Sequence, residues 1–297
     1  MDERFHGLGV ALITPFRENG LIDYAGLEKL IEHQITGGVD YVVSMGTTGE
    51  SVTLTKEEKK QLLAQTIGFV RNRVPVVLGV GGNNTAEVIE TLNGFDMDGV
   101  DAILSVSPYY NKPTQEGIYQ HYKAIAQVAL RPIILYNVPG RTGSNMTAET
   151  TVRLAKDFSN IIAIKEASAN LDQMGMIIKH KPKDFMLISG DDSLTLPIIA
   201  IGGVGVISVA GNALPLECST LVNAALSGDL ATARKEHLRM IEVINLLFVE
   251  GNPGGIKEVC RILGICGDTM RLPLVNVSES TAKKLYHALA DAEVVKL

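Results

Sequence analysis

Eight short apolar runs recur through the first 210 residues, at intervals that leave room for one helix and two loops. They are LGVALITPF, YVVSM, PVVLGV, AILSVS, PIILYN, IIAIKEA, FMLISG and GVISVA. The runs are continuously apolar, as expected of parallel strands covered on both faces. Eight strand–helix units in about 225 residues predict an α/β fold, a (β/α)₈ TIM barrel. A doubly wound open sheet is the alternative, because a pattern of runs does not reveal closure.

The segments between these runs have the periodicity of amphipathic helices. In DYAGLEKLIEHQITGG, apolar residues recur at Leu27, Leu30, Ile31 and Ile35, and the segment ends in a glycine pair typical of a helix C-terminus. The segment LTKEEKKQLLAQTIGFV places Thr55 before two glutamates, which favours a helix start. Strand and helix signals therefore alternate, as the barrel requires.

The strand signals stop after GNALPLECSTLVNAALSGD. Two long helical patterns follow, around LATARKEHLRMIEVINLLFVE and SESTAKKLYHALADAE, with the shorter GGIKEVCRILGI between them. We therefore predict a barrel domain over residues 1–225 that carries the active site, and a C-terminal helical region over 226–297. No low-complexity linker or charge block separates the two, so the helical region is expected to be docked on the barrel.

Charge and hydropathy exclude several functional classes. The formal net charge is −6 and the sequence pI about 5.6, without a block of Lys or Arg, so nucleic acid is not an expected partner. No apolar stretch reaches the roughly 18 residues that cross a bilayer, and MDERFHGLGV is too charged for a signal peptide, so we expect a cytoplasmic protein outside the membrane. Cys218, Cys260 and Cys266 lack CxxC spacing and are expected to be reduced, structural thiols.

The run IIAIKEAS places Lys165 inside an otherwise apolar strand. A desolvated ammonium is costly unless it is paired or neutralised. One interpretation is a lysine at a strand end that reaches solvent along its apolar stem. The other is an amine that burial keeps neutral, ready to attack a carbonyl.

Polar or glycine-rich segments follow the neighbouring strands, at the end of the barrel where active sites lie. The GTTGE segment offers the hydroxyls of Thr47 and Thr48 and closely spaced backbone N–H groups to a carboxylate, or it is an ordinary turn with glycine at positive φ. In YNVPGRTG, the Tyr136 phenol could transfer protons beside a neutral lysine. Arg141 in the same segment could bind a carboxylate through two hydrogen bonds, or be an exposed loop arginine.

Four other features are less specific. Tyr109 and Tyr110 in SPYY should point in opposite directions, so that one faces the site. Asp191 and Asp192 in SGDD suit helix capping, with metal binding or acid–base work as the alternative. The six histidines show no HxH or HxxxH pairing, which disfavours a divalent-metal aldolase, and the glycines of IGGVGVISVA suit close packing.

As an ordered set, GTTGES, SPYYNKP, YNVPGRTG, IIAIKEAS and SGDD resemble the motifs of the dihydrodipicolinate synthase family, whose members are also called 4-hydroxy-tetrahydrodipicolinate synthases. These enzymes form one class I aldolase group with N-acetylneuraminate lyase. The resemblance extends over the whole chain, including NPGGIK in the helical tail. It implies a lyase of diaminopimelate and lysine biosynthesis that condenses pyruvate with L-aspartate 4-semialdehyde to 4-hydroxy-tetrahydrodipicolinate, without a cofactor or metal.

The resemblance also implies roles for individual residues. Lys165 would form a Schiff base with pyruvate, and the apolar run around it would lower its pKa. A proton relay would consist of Thr47, Tyr136 and Tyr110, with Tyr110 supplied by an adjacent subunit of a homotetramer built from two dimers. The pyruvate carboxylate would bind Thr48, helped by the backbone near Gly190 and Ile207. Arg141 would receive the carboxylate of the semialdehyde.

Two departures from the family pattern bear on regulation and specificity. Gly140 stands where many members have serine, which leaves Arg141 in register. A lysine-feedback site would comprise Ser51, Asn83, Glu87 and Tyr109. Lys56 and Lys59 occupy positions of which one or both carry histidine in many sensitive relatives, so we expect weak or absent inhibition by L-lysine.

Alternative functions differ in what they require of these residues. A pyruvate–lysine aldolase acting on N-acetylneuraminate or a 2-keto-3-deoxy sugar acid would keep Lys165 and Tyr136 but would not need Arg141. A non-catalytic metabolite-binding barrel or scaffold would tolerate loss of the relay residues, all of which are present. The complete set favours the semialdehyde-condensing enzyme.

Overall fold

The computed structural model describes residues 2–296 and contains a closed barrel of eight parallel strands. The strands are β1 (Gly7–Ala11), β2 (Tyr41–Ser44), β3 (Val76–Gly79), β4 (Ala102–Val106), β5 (Ile133–Asn137), β6 (Ile161–Glu166), β7 (Met186–Ser189) and β8 (Gly205–Ser208). Each strand pairs with the next along the chain, and β8 pairs with β1. The sheet is therefore closed, which confirms the predicted barrel and excludes the open sheet.

The helices surround the barrel and continue beyond it. They are α1 (Tyr24–Thr36), α2 (Lys56–Val70), α3 (Thr85–Asn93), α4 (Gln115–Val128), α5 (Pro139–Thr142), α6 (Ala148–Asp157), α7 (Leu171–His180), α8 (Thr195–Ala200), α9 (Pro215–Ser227), α10 (Leu230–Leu246), α11 (Gly254–Ile262) and α12 (Glu279–Asp291). The predicted start of α2 is confirmed. The Thr55 hydroxyl accepts from Glu58 N, and the Glu58 carboxylate accepts from Thr55 N.

Both faces of the strands are buried, which is why their sequences read as continuous apolar runs. One apolar cluster fills the barrel interior and includes Tyr41, Ile134 and Ile188. A larger cluster lies between the strands and the surrounding helices and extends to α10 and α12. Glycine permits closure between β8 and β1, because a Cβ at Gly205 would lie 1.9 Å from the Gly7 carbonyl oxygen. The predicted packing role of glycines near β8 is confirmed there.

The C-terminal helices pack on the barrel and on one another. α10 contacts α8 and α9, while α12 contacts both α10 and α11. The predicted boundary between residues 225 and 226 lies near the C-terminal end of α9. The division into two domains stays a prediction, whereas the docking of the helical region is visible in these contacts.

Three further observations concern the classes considered from composition. No helix within residues 2–296 is long and apolar enough to cross a membrane. The same residues contain no group of three or more His, Cys, Asp or Glu side chains arranged to hold a metal ion. Cys218, Cys260 and Cys266 are free thiols, as expected.

Candidate active site

A cavity of about 960 Å³ opens at the C-terminal ends of the strands. The walls come from the loops after strands β2 to β8 and from the loop before α11. Eight of the predicted site residues line this cavity: Thr47, Thr48, Ser51, Tyr109, Tyr136, Arg141, Lys165 and Gly190. The structure therefore brings together residues that are dispersed over about half of the sequence, from Thr47 to Gly190.

Lys165 extends from β6 into this cavity and is nearly inaccessible to solvent. Its residue is 5% exposed, and Nζ lies 4.5 Å from the centre of the Tyr136 ring. The pKa of Lys165 is lowered from 10.5 to about 8; burial is the main cause, the charge of Asp192 opposes the shift, and the positive charge of Arg141 contributes to it. About one molecule in ten therefore carries the neutral amine at pH 7. A lysine in this state is a nucleophile for carbonyl carbon.

Asp192 is the carboxylate that acts on Lys165, but its oxygen atoms are bound elsewhere. It accepts hydrogen bonds from the Ser208 hydroxyl, from Val209 N at 2.9 Å and from Ala210 N at 3.2 Å. Burial raises the pKa of Asp192. The carboxylate thus holds the loop after β8, and no ion pair to Lys165 forms among the described residues.

The predicted capping role therefore applies to one of the two aspartates. Asp191 precedes a short 3₁₀ turn and accepts from Ser193 N at 3.0 Å, as a cap does. Asp192 lies within that turn and is turned inward. Sequence spacing alone did not separate the two, because adjacent residues in a tight turn point in different directions.

Tyr136 lies directly beside Lys165, because the register of β5 and β6 pairs the two residues. The phenol is buried, and the Thr47 side chain is close enough to act on its pKa. Burial raises the pKa of Tyr136, while the charge of Arg141 and the Thr47 side chain oppose the rise. A protonated phenol beside a partly neutral amine can donate a proton to, or accept one from, an atom bound at Nζ.

The GTTGE segment forms a 3₁₀ turn over Thr47–Gly49. The alternative of a turn with glycine at positive φ is wrong: the left-handed residues are Met45 and Glu50, at φ 59° and 52°, whereas Gly46 has φ −68°. Thr48 is buried, and its hydroxyl accepts from Asn252 Nδ2 at 3.0 Å. The turn is therefore held by a residue of the C-terminal region.

Gly190 and Ile207, predicted to help bind a carboxylate, differ in position. Gly190 lines the cavity, and a Cβ there would lie 3.1 Å from Lys165 Cε and 2.7 Å from Ala167 Cβ. Glycine at this position therefore provides the space that the Lys165 side chain occupies. Ile207 is buried in the barrel interior and does not line the cavity, whereas Val209 beyond it does.

Arg141 lies in the short helix α5, immediately after β5, and its exposed side chain borders the cavity. The neighbouring Gly140 has open space where a Cβ would be, so a serine at this position would fit without displacing a neighbour. That this glycine leaves Arg141 in register with the family stays a prediction.

Tyr109 and Tyr110 point to different surroundings, as predicted. Tyr109 lines the cavity, whereas Tyr110 is 87% exposed, has φ 70° and does not contribute to the cavity of its own chain. The exposure of Tyr110 is compatible with a role in a neighbouring subunit, which stays a prediction.

The predicted lysine-feedback residues are only partly assembled. Ser51, Tyr109 and Lys59 all line the cavity. Asn83 and Glu87 lie outside the cavity lining. Lys56 is exposed and pairs with Glu90, with Nζ 3.5 Å from Oε1.

Sequence reasoning missed the contribution of the C-terminal region to the site. Phe248, Gly251 and Asn252 line the cavity together with the barrel loops. Helix α11 begins two residues after Asn252, and its Lys257 pairs with Glu50 at the end of the GTTGE turn. The NPGGIK segment was the available signal, because it places polar residues beside a proline and two glycines between helices.

Comparisons with known proteins agree with this geometry. A family model described as the dihydrodipicolinate synthetase family matches residues 4–292. The 4-hydroxy-tetrahydrodipicolinate synthase of Parabacteroides distasonis is 53% identical over 293 residues, which cover 99% of each chain.

Two solved structures are also similar. The dihydrodipicolinate synthase of Thermotoga maritima superposes with a TM-score of 0.96 at 38% identity, over 98% of this chain and all of that one. The chloride-inhibited dihydrodipicolinate synthase of Acinetobacter baumannii, complexed with pyruvate, gives a TM-score of 0.94 at 39% identity, over 98% and 99% of the two chains. With the family model, the relative and the solved folds all matched over nearly the full length, this chain belongs to the dihydrodipicolinate synthase family.

Proposed function

We propose that this protein is a 4-hydroxy-tetrahydrodipicolinate synthase, a class I aldolase-type lyase that condenses pyruvate with L-aspartate 4-semialdehyde in diaminopimelate and lysine biosynthesis. The observation that carries the proposal is Lys165, a buried lysine with a lowered pKa at the base of a cavity that also contains Tyr136 and Arg141. A curated relative of that activity with 53% identity over the full length supports it.

The first step is attack of neutral Lys165 on the pyruvate ketone. Loss of water from the resulting carbinolamine gives an iminium, which withdraws electrons from the adjacent methyl group. Removal of a methyl proton then yields an enamine. The carbon nucleophile is thus generated by the lysine itself, and the pyruvate held by the Acinetobacter baumannii enzyme supports pyruvate as the first substrate.

Tyr136 and Thr47 are the proposed carriers of protons in these steps. The Thr47 side chain is close enough to act on the pKa of the Tyr136 phenol, and Lys165 Nζ lies 4.5 Å from the centre of the Tyr136 ring. Formation and loss of the carbinolamine require protons to move on and off oxygen and nitrogen at that place. Thr48 is proposed to bind the pyruvate carboxylate with backbone groups near Gly190.

The second substrate would bind on the solvent side of the enamine, where Arg141 borders the cavity. The guanidinium matches the carboxylate of L-aspartate 4-semialdehyde. After the enamine adds to the aldehyde, the amino group of the semialdehyde displaces Lys165 by transimination, which closes the ring and frees the lysine. An aldolase acting on a polyol aldehyde would have no use for this cation, which favours the semialdehyde.

The test has two parts. Pyruvate and borohydride should add a stable adduct at Lys165, mapped by peptide mass spectrometry, and the adduct should abolish activity. Product analysis with L-aspartate 4-semialdehyde, and separately with N-acetylmannosamine, should then give the cyclic product from the first only. An unlabelled Lys165, or labelling of a Lys165→Ala variant, would reject the mechanism.

We further propose that Tyr110 completes the proton relay of an adjacent subunit in a homotetramer. Its 87% exposure in the single chain supports this role, because a tyrosine at a site edge is seldom left so exposed without a partner surface. Light scattering together with activity measurements tests it. A monomer with full activity would show that no second subunit is needed.

A further inference from the structure

Residues of the C-terminal region bind the GTTGE turn through buried polar contacts. Asn252 donates to the Thr48 hydroxyl at 3.0 Å, and Lys257 Nζ lies 2.5 Å from Glu50 Oε1. Arg271 N donates to Glu50 Oε2 at 3.2 Å. Thr47 and Thr48, which border the candidate site, are therefore tied to residues about two hundred positions later in the chain.

Glu50 adopts a backbone conformation that is unfavourable for a residue other than glycine. Its φ of 52° lies in the left-handed region, which glycine adopts without strain and which costs other residues about 1 kcal/mol or more. The side chain is nevertheless completely buried. Because a buried carboxylate adds a further desolvation cost, glutamate at this position indicates a function for the carboxylate itself.

Lys257 is the matching group. Its side chain is also completely buried, Nζ donates to the Thr269 carbonyl at 2.8 Å, and Nζ lies 4.4 Å from the centre of the Phe16 ring. The ammonium is thus enclosed by a carboxylate, a carbonyl and an aromatic face. A buried ion pair of this kind gives little net stability compared with an apolar pair, but it fixes one geometry, because its members cannot separate in a dry environment.

We propose that Glu50 and Lys257 are positioning residues for the reaction: their ion pair holds the turn so that Thr47 meets Tyr136 and Thr48 faces the place of the substrate carboxylate. This proposal rests on the proposed function. Neither residue touches the reacting atoms, and each acts through the turn that directly precedes Glu50. A displacement of about 1 Å at such a turn can lower catalysis by about 100-fold.

The test compares the parent enzyme with the double variant Glu50→Gln/Lys257→Met, which removes both charges at similar volume. We expect thermal melting within a few degrees of the parent and full borohydride trapping of pyruvate at Lys165. We expect kcat to fall by roughly 10- to 100-fold. A purely structural pair would instead leave the kcat of the folded enzyme unchanged.

The matched control removes an ion pair of the same region that does not contact the turn. Glu236 and Arg239 in α10 are paired at 2.6 Å and largely buried. Glu236→Gln/Arg239→Met should keep the parent kcat. If the Glu50/Lys257 double variant fails to fold, the variant Glu50→Asp tests the positioning role instead. It keeps the negative charge but has a shorter side chain, and it should still lower kcat.

The outcomes distinguish this inference from the proposed function. A parent enzyme that pyruvate and borohydride do not label at Lys165 rejects the proposed function. A labelled parent whose double variant, or whose Glu50→Asp variant, keeps the full kcat overturns the positioning role alone. Loss of kcat with intact trapping and intact control supports it.

Discussion

Lys165 and Lys257 are two buried lysines that the fold treats in opposite ways. They are 5% and 0% exposed, and each ammonium lies about as far from an aromatic ring, 4.5 Å for Lys165 over Tyr136 and 4.4 Å for Lys257 over Phe16. Lys257 has a carboxylate at 2.5 Å and a backbone carbonyl at 2.8 Å. Lys165 has no such partner among residues 2–296, because Asp192, the carboxylate whose charge acts on it, is bound to the loop after β8.

The difference shows that burial alone does not make a lysine reactive. Burial lowers the pKa of both residues, but at Lys257 the charge of Glu50 and its hydrogen bond oppose the shift and make the ammonium a fixed structural group. At Lys165 the opposing charge is that of Asp192, which is hydrogen-bonded to the loop after β8 and forms no ion pair with the lysine. Lys165 instead lines the cavity, which leaves the amine free for substrate. The reactivity of a buried lysine thus depends on the absence of a charged partner as much as on desolvation.

The largest expected effect comes from removing Lys165. Lys165→Met should lower kcat by roughly 10⁴-fold or more, since the group that forms the covalent intermediate is lost. The variant should melt at or above the parent temperature, because methionine fills the apolar site without a buried charge. Steady-state assays and calorimetry measure both. A clear loss of stability would show that Lys165 is a structural lysine like Lys257.

The opposite result is expected at the other lysine. Lys257→Met alone leaves the Glu50 carboxylate buried without its partner, and such a break costs about 3–5 kcal/mol of the free energy of unfolding. The melting temperature should therefore fall by several degrees, while pyruvate trapping at Lys165 in the folded fraction persists. Urea denaturation gives the magnitude. Unchanged stability would mean that Glu50 is protonated or hydrated once its partner is absent.

Tyr136 tests whether the free amine needs its neighbour. Tyr136→Phe keeps the ring over Lys165 and removes only the hydroxyl, so it should lower kcat by roughly 100-fold with a modest change in the KM for pyruvate. The matched control is Tyr119→Phe, whose hydroxyl binds Asp157 at 2.8 Å outside the cavity. Equal activity of the two variants would remove Tyr136 from the mechanism.

The pH dependence of trapping measures the state of Lys165 directly. Because the pKa of Lys165 is lowered to about 8, its neutral fraction increases with pH and levels off above 8. The initial trapping rate at low pyruvate concentration should therefore rise about tenfold per pH unit from pH 6 to 7 and flatten by pH 9. A rate that continues to climb toward pH 10 would indicate an ordinary lysine pKa.

Much of this arrangement could be predicted from local sequence. The eight strands were visible because both of their faces are buried, and Lys165, Tyr136 and Arg141 followed from the rule that barrel sites lie at strand ends. The residues that were missed act over long distances in the chain. Asn252 and Thr48 are separated by 204 residues, and such a pair leaves no periodicity or spacing to detect.

The roles of the two aspartates were also beyond the sequence pattern. Asp191 and Asp192 have the same side chain and adjacent positions, and only the turn geometry directs one to solvent and the other to Ser208. The exposure of Tyr110, and whatever covers it, likewise depends on more than one chain. Local patterns therefore predicted which groups are present, and tertiary geometry decided which of them are free to react.

A third lysine gives the smallest expected effect and concerns regulation. Lys59 is half-buried and lines the same cavity as Ser51 and Tyr109, and burial together with the charge of Lys56 lowers its pKa. Lys56 itself is exposed and paired with Glu90, so its charge is largely screened. Two like charges about 4 Å apart repel by roughly 1–4 kcal/mol, which corresponds to about tenfold or more in affinity.

We therefore expect L-lysine to inhibit the parent enzyme weakly. The variant Lys59→Ala should lower the half-inhibiting concentration about tenfold, since it removes the repelling charge near Ser51 and Tyr109. Lys56→Ala is the matched control and should change that concentration little, because its ammonium already lies in solvent. Initial-rate titrations with L-lysine measure all three proteins. Half-inhibition of the parent well below about 1 mM would show that the long Lys59 side chain moves aside and that its charge does not weaken the binding of L-lysine.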